Sequence, residues 1–236
     1  MDNHRNISQI QEHMDDFMVS GSELIKALDN IALINKLLGG NRLTLNALKK
    51  VLKATDKAGV ITIADIGCGN GDMLRLFSDY GRKNNIKFKL IGVDANQNTL
   101  DYATRLSEQY SDISYICLDV FDKSFETVKY DIVVSTLTMH HFDDGQIVKI
   151  MDVLYTNCSV AIIVNDLERS RLSYSLFKII AFVFQVNRMT KEDGLLSIKR
   201  GFKKKELVNY SKKLNHIKFH ITWKWAFRYE WIITKV

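Results

Sequence analysis

Proline is absent from all 236 residues, so no turn has its φ fixed in advance and the loops must be built from Gly, Asn, Asp and Ser. Cysteine is scarce. Cys68, Cys117 and Cys158 are odd in number and lack metal-ligand spacing, which argues against a disulfide framework or a zinc site. They lie in or beside apolar runs, where cysteine behaves as a small buried hydrophobe, and a reducing cytoplasm is the expected compartment. Long apolar runs are missing too. The longest, Leu176 to Val186, is interrupted by Lys178 and Gln185 and falls well short of the roughly 20 residues that cross a bilayer. The opening residues, Met1 to His13, are polar and charged, unlike a secretory signal.

What is present is ordinary for a globular chain: 46% hydrophobic and 25% charged residues. The length suits one large domain, or a core with a helical cap. A net charge of +6 is moderate, and much of it falls between Lys199 and Lys213, including Lys203, Lys204, Lys205 and Lys212. Such a run can steer anionic partners, although a solvated helix face is the commoner meaning.

Residues 1–57 read as a helical cap. Ser20 and Glu23 have capping-box spacing, Leu24, Leu28, Ile31 and Leu38 repeat at helical intervals, and Gly39-Gly40 supplies a stop. A second helix runs through Leu45, Leu48 and Leu52. From 58 to 236 the pattern changes to strand–helix alternation. Strands are expected at Ile61–Ile66, Phe88–Val93, Ile113–Leu118, Asp131–Ser135 and Val160–Val164, with helices near Met73–Lys83, Thr99–Gln109 and Gln146–Tyr155. This alternation predicts an α/β fold with a Rossmann-like, doubly wound, mostly parallel sheet. Two later runs, Ile217–Thr222 and Phe227–Thr234, follow a helix near Lys203–Lys213. They are too closely joined for a parallel crossover and must form an antiparallel C-terminal hairpin, making seven strands.

The strongest motif is Ala64-Asp65-Ile66-Gly67-Cys68-Gly69-Asn70-Gly71-Asp72, at the junction of the first strand and the next helix. Its glycines permit a sharp turn and close approach of a ligand, and the helix N-terminus favours an anionic group. The dinucleotide fingerprint is G-x-G-x-x-G; here the spacing is G-x-G-x-G, and Asp72 occupies the place of the third glycine. A carboxylate there faces a pyrophosphate unfavourably. A ligand with one carboxylate and a positive sulfonium suits Asp65 and Asp72 better, which points to S-adenosylmethionine rather than NAD. Asp94-Ala95, ending the second strand, can receive ribose hydroxyls. Asp119 can accept from an adenine amino group with Val120 and Phe121 beside the ring; the bland alternative is a turn or cap residue.

Asp65 to Gly71, Asp94, Asp119-Val120 and Tyr130-Asp131-Ile132-Val133-Val134-Ser135 together resemble the successive motifs of class I S-adenosylmethionine-dependent methyltransferases, over roughly residues 60–166. Met139-His140-His141-Phe142 resembles the leucine-histidine-histidine segment of the small-molecule enzymes of quinone-pathway type. The resemblance implies Gly67, Gly69 and Gly71 around the methionine moiety, Asp65 near its amino group, Asp94 on the ribose, Asp119 and Val120 at the adenine, and Ser135 on the cofactor floor. Nucleobase-amine methyltransferases resemble one another in an Asn/Asp-Pro-Pro-aromatic segment, and cytosine-carbon methyltransferases in a Pro-Cys nucleophile. With no proline, neither is present, and a nucleic-acid acceptor is not expected. His140 and His141 are the candidate catalytic bases, since imidazole titrates near neutrality; holding the loop is their alternative role. No metal is expected.

The acceptor should be enclosed by the cap and by a lid-like insertion at about 167–200. Leu172, Tyr174, Leu176, Phe177, Ile179, Ile180, Phe182, Val183 and Phe184 make this insertion apolar nearly all round, which predicts burial. It reads as core packing or as the wall of an apolar or aromatic pocket, and peripheral membrane contact aided by the lysines after Lys199 is a weaker reading. The functional expectation is O- or C-methylation of a small acceptor. The alternatives are an RNA or protein methyltransferase, or a binding module without catalysis.

Overall fold

The β-branched runs pair into one seven-stranded sheet. The computed structural model describes residues 12–56, 59–127, 129–214 and 217–235. Its strands are β1 (Ile61–Ile66), β2 (Phe88–Asp94), β3 (Ile113–Cys117), β4 (Tyr130–Thr136), β5 (Cys158–Leu167), β6 (Lys218–Lys224) and β7 (Arg228–Thr234), in the spatial order β3-β2-β1-β4-β5-β7-β6. The first five are parallel, and β7 runs antiparallel between β5 and β6. The reversal between β1 and β4 is the switch point at which open α/β sheets place their ligands.

The helices are α1 (Gly21–Leu37), α2 (Gly40–Lys53), α3 (Asp72–Asn84), α4 (Gln97–Leu106), α5 (Asp144–Asn157), α6 (Arg171–Val183), α7 (Arg188–Arg200) and α8 (Lys204–Lys213). Alternate residues of the central strands feed two cores, one on each face. Ile132 and Val134 of β4 join Ala47, Leu48 and Val51 of α2 and Phe77 of α3. Val133, between them, faces the opposite layer, where Ile147, Ile150 and Leu154 of α5 and Leu207 of α8 surround Trp231. Burying each such side chain contributes about 1.5–3 kcal/mol. Caps fix the helix starts: Asn96 accepts from the N–H of Asn98 and Thr99, and Asp143 and Gln146 form a reciprocal capping box.

Several expectations change. The Ser20 side chain makes no cap bond, and no capping box with Glu23 forms. The helices expected in the cap divide: α1 roofs the cavity described below, whereas α2 packs on the sheet as a layer helix. Cys117 is exposed, not buried, because it ends the edge strand β3; Cys68 and Cys158 are buried. The insertion folds as two helices, α6 and α7, and α6 is not buried all round. Phe177 and Ile180 face the cavity, while Leu172 and Val183 face outward and Phe182 is 83% exposed. α7 backs it, with the Phe177 ring against Gly194. Among the described residues, no helix is long and apolar enough to cross a membrane.

Candidate active site

The glycine loop after β1 is tied to the end of β2. Gly67 and Cys68 donate their N–H groups to the Val93 carbonyl, at 2.8 and 3.1 Å. Gly69 N–H donates to Asp94 Oδ2 at 3.1 Å, and Asn96 N–H to Asp94 Oδ1 at 3.0 Å. Gly67 has φ +68° and lies against Thr138, which follows β4. The two residues bound a neck of the cavity at the switch point between the two strands.

Three carboxylates crowd this neck. Asp65 is 2% exposed and its Oδ1 has no hydrogen-bond partner among the described residues. Burial, with the nearby Asp72 and Asp94 charges, pushes its pKa well above the usual carboxylate range. Burial also raises Asp72, against the Asn41 amide that donates to it at 2.8 Å, and raises Asp94, against the N–H groups of Asn96 and Gly69. An orphaned buried carboxylate flanked by two more calls for a cation with further donors. The ammonium, sulfonium and ribose hydroxyls of S-adenosylmethionine fit that set.

A pH-dependent prediction arises here. The native pKa of Asp65 is raised, so the ligand-free fold holds this proton more tightly than the unfolded chain and loses stability as pH climbs from the ordinary carboxylate range through the raised value. A bound cation favours the ionised form. Binding S-adenosylmethionine in that window should therefore release a proton, making the calorimetric heat depend on the buffer's ionisation enthalpy. Asp65→Asn should reduce that dependence and weaken binding by about tenfold or more. A heat independent of buffer in the unchanged protein would place the ammonium elsewhere.

The remaining cofactor-side candidates separate. Ala95, Asp119 and Val120 line the same cavity as Asp65, Gly67, Gly69 and Asp94. Asp119 is exposed, and its Oδ1 accepts from Phe121 N–H at 2.9 Å, so the turn role is realised while the carboxylate still reaches the wall. Gly71 and Ser135 do not reach it. Gly71 turns into α3 beside the Tyr115 hydroxyl, and Ser135 is fully buried, whereas Thr136, Leu137 and Thr138 after it line the cavity.

The histidine pair stands in a short 3-10 turn, Met139–His141, after β4. His140 is 2% exposed. Its Nδ1 lies 2.7 Å from Asp166 Oδ1 at the end of β5, its backbone N–H donates to Asp166 Oδ2, and its Nε2 is 3.9 Å from Glu12 Oε1. His141 Nδ1 lies 2.6 Å from Asp15 Oδ1, and its Nε2 is 3.9 Å from Glu12 Oε2. Burial lowers the His141 pKa, but the Glu12 and Asp15 carboxylates outweigh it and hold the ring more basic than usual. Burial raises the Asp166 pKa, and the adjacent His140 more than reverses this. Arg200 of α7 clamps the segment by pairing with Glu12 at 3.2 Å and Asp15 at 2.9 Å. Glu12, His140 and His141 each present a possible metal-ligand atom within 4.8 Å of one another. Sequence reasoning missed Glu12, Asp15, Asp166 and Arg200 as site residues. Only Asp166, a carboxylate at the carboxyl end of a strand, carried a signal.

One cavity of about 860 Å³ joins both halves. Beyond the neck its walls are Leu24, Leu28 and Ile31 of α1, Phe177 and Ile180 of α6, and the turn at Trp225–Phe227 between β6 and β7.

Residues 63–161 match the family model described as a methyltransferase domain. Comparison with curated proteins finds none that matches in sequence. The fold is similar to that of the plantazolicin methyltransferase BpumL, solved with SAH, at 15% identity and TM-score 0.67 over 90% of this chain and 95% of that one. It is also similar to the magnesium protoporphyrin IX methyltransferase ChlM of Synechocystis PCC 6803, solved with SAH, at 12% identity and TM-score 0.56 over 84% of each chain. The CurJ carbon methyltransferase aligns at 11% identity and TM-score 0.61 over 82% of this chain and 53% of that one.

Proposed function

We propose that this chain, a class I S-adenosylmethionine-dependent methyltransferase, methylates an oxygen or carbon of a small, largely apolar or aromatic acceptor. The observation that carries this reading is the single cavity that connects the carboxylate-lined neck to a chamber walled by α1 and α6. Solved neighbours whose names give plantazolicin and magnesium protoporphyrin IX as their objects are in keeping with it. The lysines of α8, Lys204, Lys205, Lys212 and Lys213, are solvent-exposed and do not line that cavity.

When bound, S-adenosylmethionine supplies an already activated methyl group. The chain's own work is then alignment, water exclusion and proton management. Asp65 holds the ammonium, Asp94 the ribose hydroxyls, and Asp119 with Val120 the adenine. Gly67 and Thr138 set the width of the neck. Positioning two reactants in line can lower the barrier by about 7–11 kcal/mol. Phe177, Ile180 and the α1 leucines exclude water from the acceptor. His140, its Nδ1 fixed by Asp166, is the base that removes an acceptor proton through Nε2, while His141 stays the partner of Asp15 and Glu12.

Incubating the protein with methyl-labelled donor and a fractionated extract tests this. Label should pass into an organic-extractable small molecule, insensitive to salt. Label recovered in RNA or protein, falling steeply with salt, would overturn it.

A further inference from the structure

Arg228 opens β7, opposite Leu167 of β5. It lines the cavity yet is only 3% exposed, and its Nε and Nη1 have no hydrogen-bond partner among the described residues. Burial lowers its pKa to about 10, partly countered by the Asp166 charge. The other arginine in the cavity wall, Arg200, is committed to Glu12 and Asp15. Isolated buried cations are costly and are normally paired.

The surroundings of the guanidinium favour an anion. A Cβ on Gly40 would lie 3.0 Å from Arg228 Cζ, so the group rests against the first residue of α2. That 14-residue helix begins with no side-chain cap, and a helix N-terminus carries a partial positive charge. Beside it, Asn35 Nδ2 donates to Asn41 Oδ1, and Asn41 in turn donates to Asp72 in the neck. The polar end of the chamber therefore joins an unpartnered guanidinium to a helix start, facing a cavity whose neck is acidic.

We propose that Arg228 is the carboxylate receptor of this cavity. The planar guanidinium fork suits a carboxylate, which the α2 N-terminus would help to hold. The inference rests on the methyltransferase reading, and it admits two sources: the α-carboxylate of the donor, or a carboxylate borne by an acidic acceptor.

The test uses Arg228→Met, which removes the charge and keeps an unbranched chain. An unpaired buried cation does not stabilise the empty protein, so the melting temperature of the ligand-free variant should be unchanged or higher. Calorimetry then separates the sources. If the donor supplies the carboxylate, the variant binds SAH about 10- to 100-fold more weakly but binds methylthioadenosine, which lacks the amino-acid portion, as the parent does. If the acceptor supplies it, SAH affinity is unchanged, and SAH-loaded variant loses affinity for naphthoate by a similar factor while naphthamide binding stays equal. The inference is overturned if the variant melts markedly lower, if methylthioadenosine weakens along with SAH, or if neither carboxylate ligand distinguishes variant from parent. A parent protein that binds neither SAH nor methylthioadenosine would instead overturn the functional reading beneath it.

Discussion

His140→Ala should lower turnover by about 10²–10⁴, the range of general base catalysis, while SAH affinity stays nearly unchanged. The imidazole lies beyond the neck, not within it. Its Nδ1 is fixed by Asp166 at 2.7 Å and its Nε2 points toward the Glu12 side of the chamber at 3.9 Å. A carboxylate on one ring nitrogen selects the tautomer and orientation with which the other can take a proton. Asp166→Asn should therefore also reduce turnover while sparing SAH binding. His141→Ala should act differently, because that ring is paired with Asp15 and held more basic than usual by Glu12 and Asp15. Its loss should loosen the 12–15 segment and raise the acceptor KM more than it lowers kcat. Steady-state kinetics on the three variants, beside SAH calorimetry, checks this. Full activity in His140→Ala would assign catalysis to alignment alone.

Gly67→Ala should abolish measurable donor binding, a loss of more than about 100-fold, with about 1–2 kcal/mol of destabilisation for a left-handed non-glycine residue. Gly67 sits at φ +68°, and an added Cβ would fall 2.3 Å from Thr138 Oγ1 and 2.4 Å from its Cγ2. Thr138 must then move, and the two walls of the neck move with it. The tight contact lies at Gly67 and not at Gly69. A Cβ at Gly69 meets only Leu28 Cδ2, at an ordinary 3.7 Å, so Gly69→Ala should bear the left-handed backbone cost and a much smaller loss of affinity. Calorimetry with SAH and thermal unfolding of both variants distinguish the two. Equal losses would mean that the loop responds as a whole, without a specific clash at Gly67.

The parts of the fold that were legible in sequence depend on short-range pattern. β-branched runs at Ile61–Ile66 and Tyr130–Thr136, glycine punctuation, and the impossibility of a parallel crossover before Arg228 are all local signals. That Asp65, Gly67, Gly69 and Asp94 would line one cavity was legible for the same reason, because they lie at strand ends where the topology must bring them together. Gly71 and Ser135 share those motifs but do not line the cavity, which spacing cannot reveal. The acceptor side depends on long-range contacts. Asp15 meets His141 across 126 positions, and Arg200 reaches Glu12 across 188. Neither pairing leaves a trace in periodicity. The outward face of α6 was misread because an all-round apolar helix normally implies an all-round partner, whereas α7 and the cavity cover only part of it.

The most direct test of the central claim, that one cavity holds donor and acceptor in line, is a crystal structure of the SAH complex. The account predicts the adenine by Asp119 and Val120, the ribose on Asp94, the ammonium on Asp65, and the sulfur in the Gly67–Thr138 neck, opening toward His140 and the α6 wall. SAH bound with its sulfur facing bulk solvent, or bound anywhere outside this cavity, would contradict it.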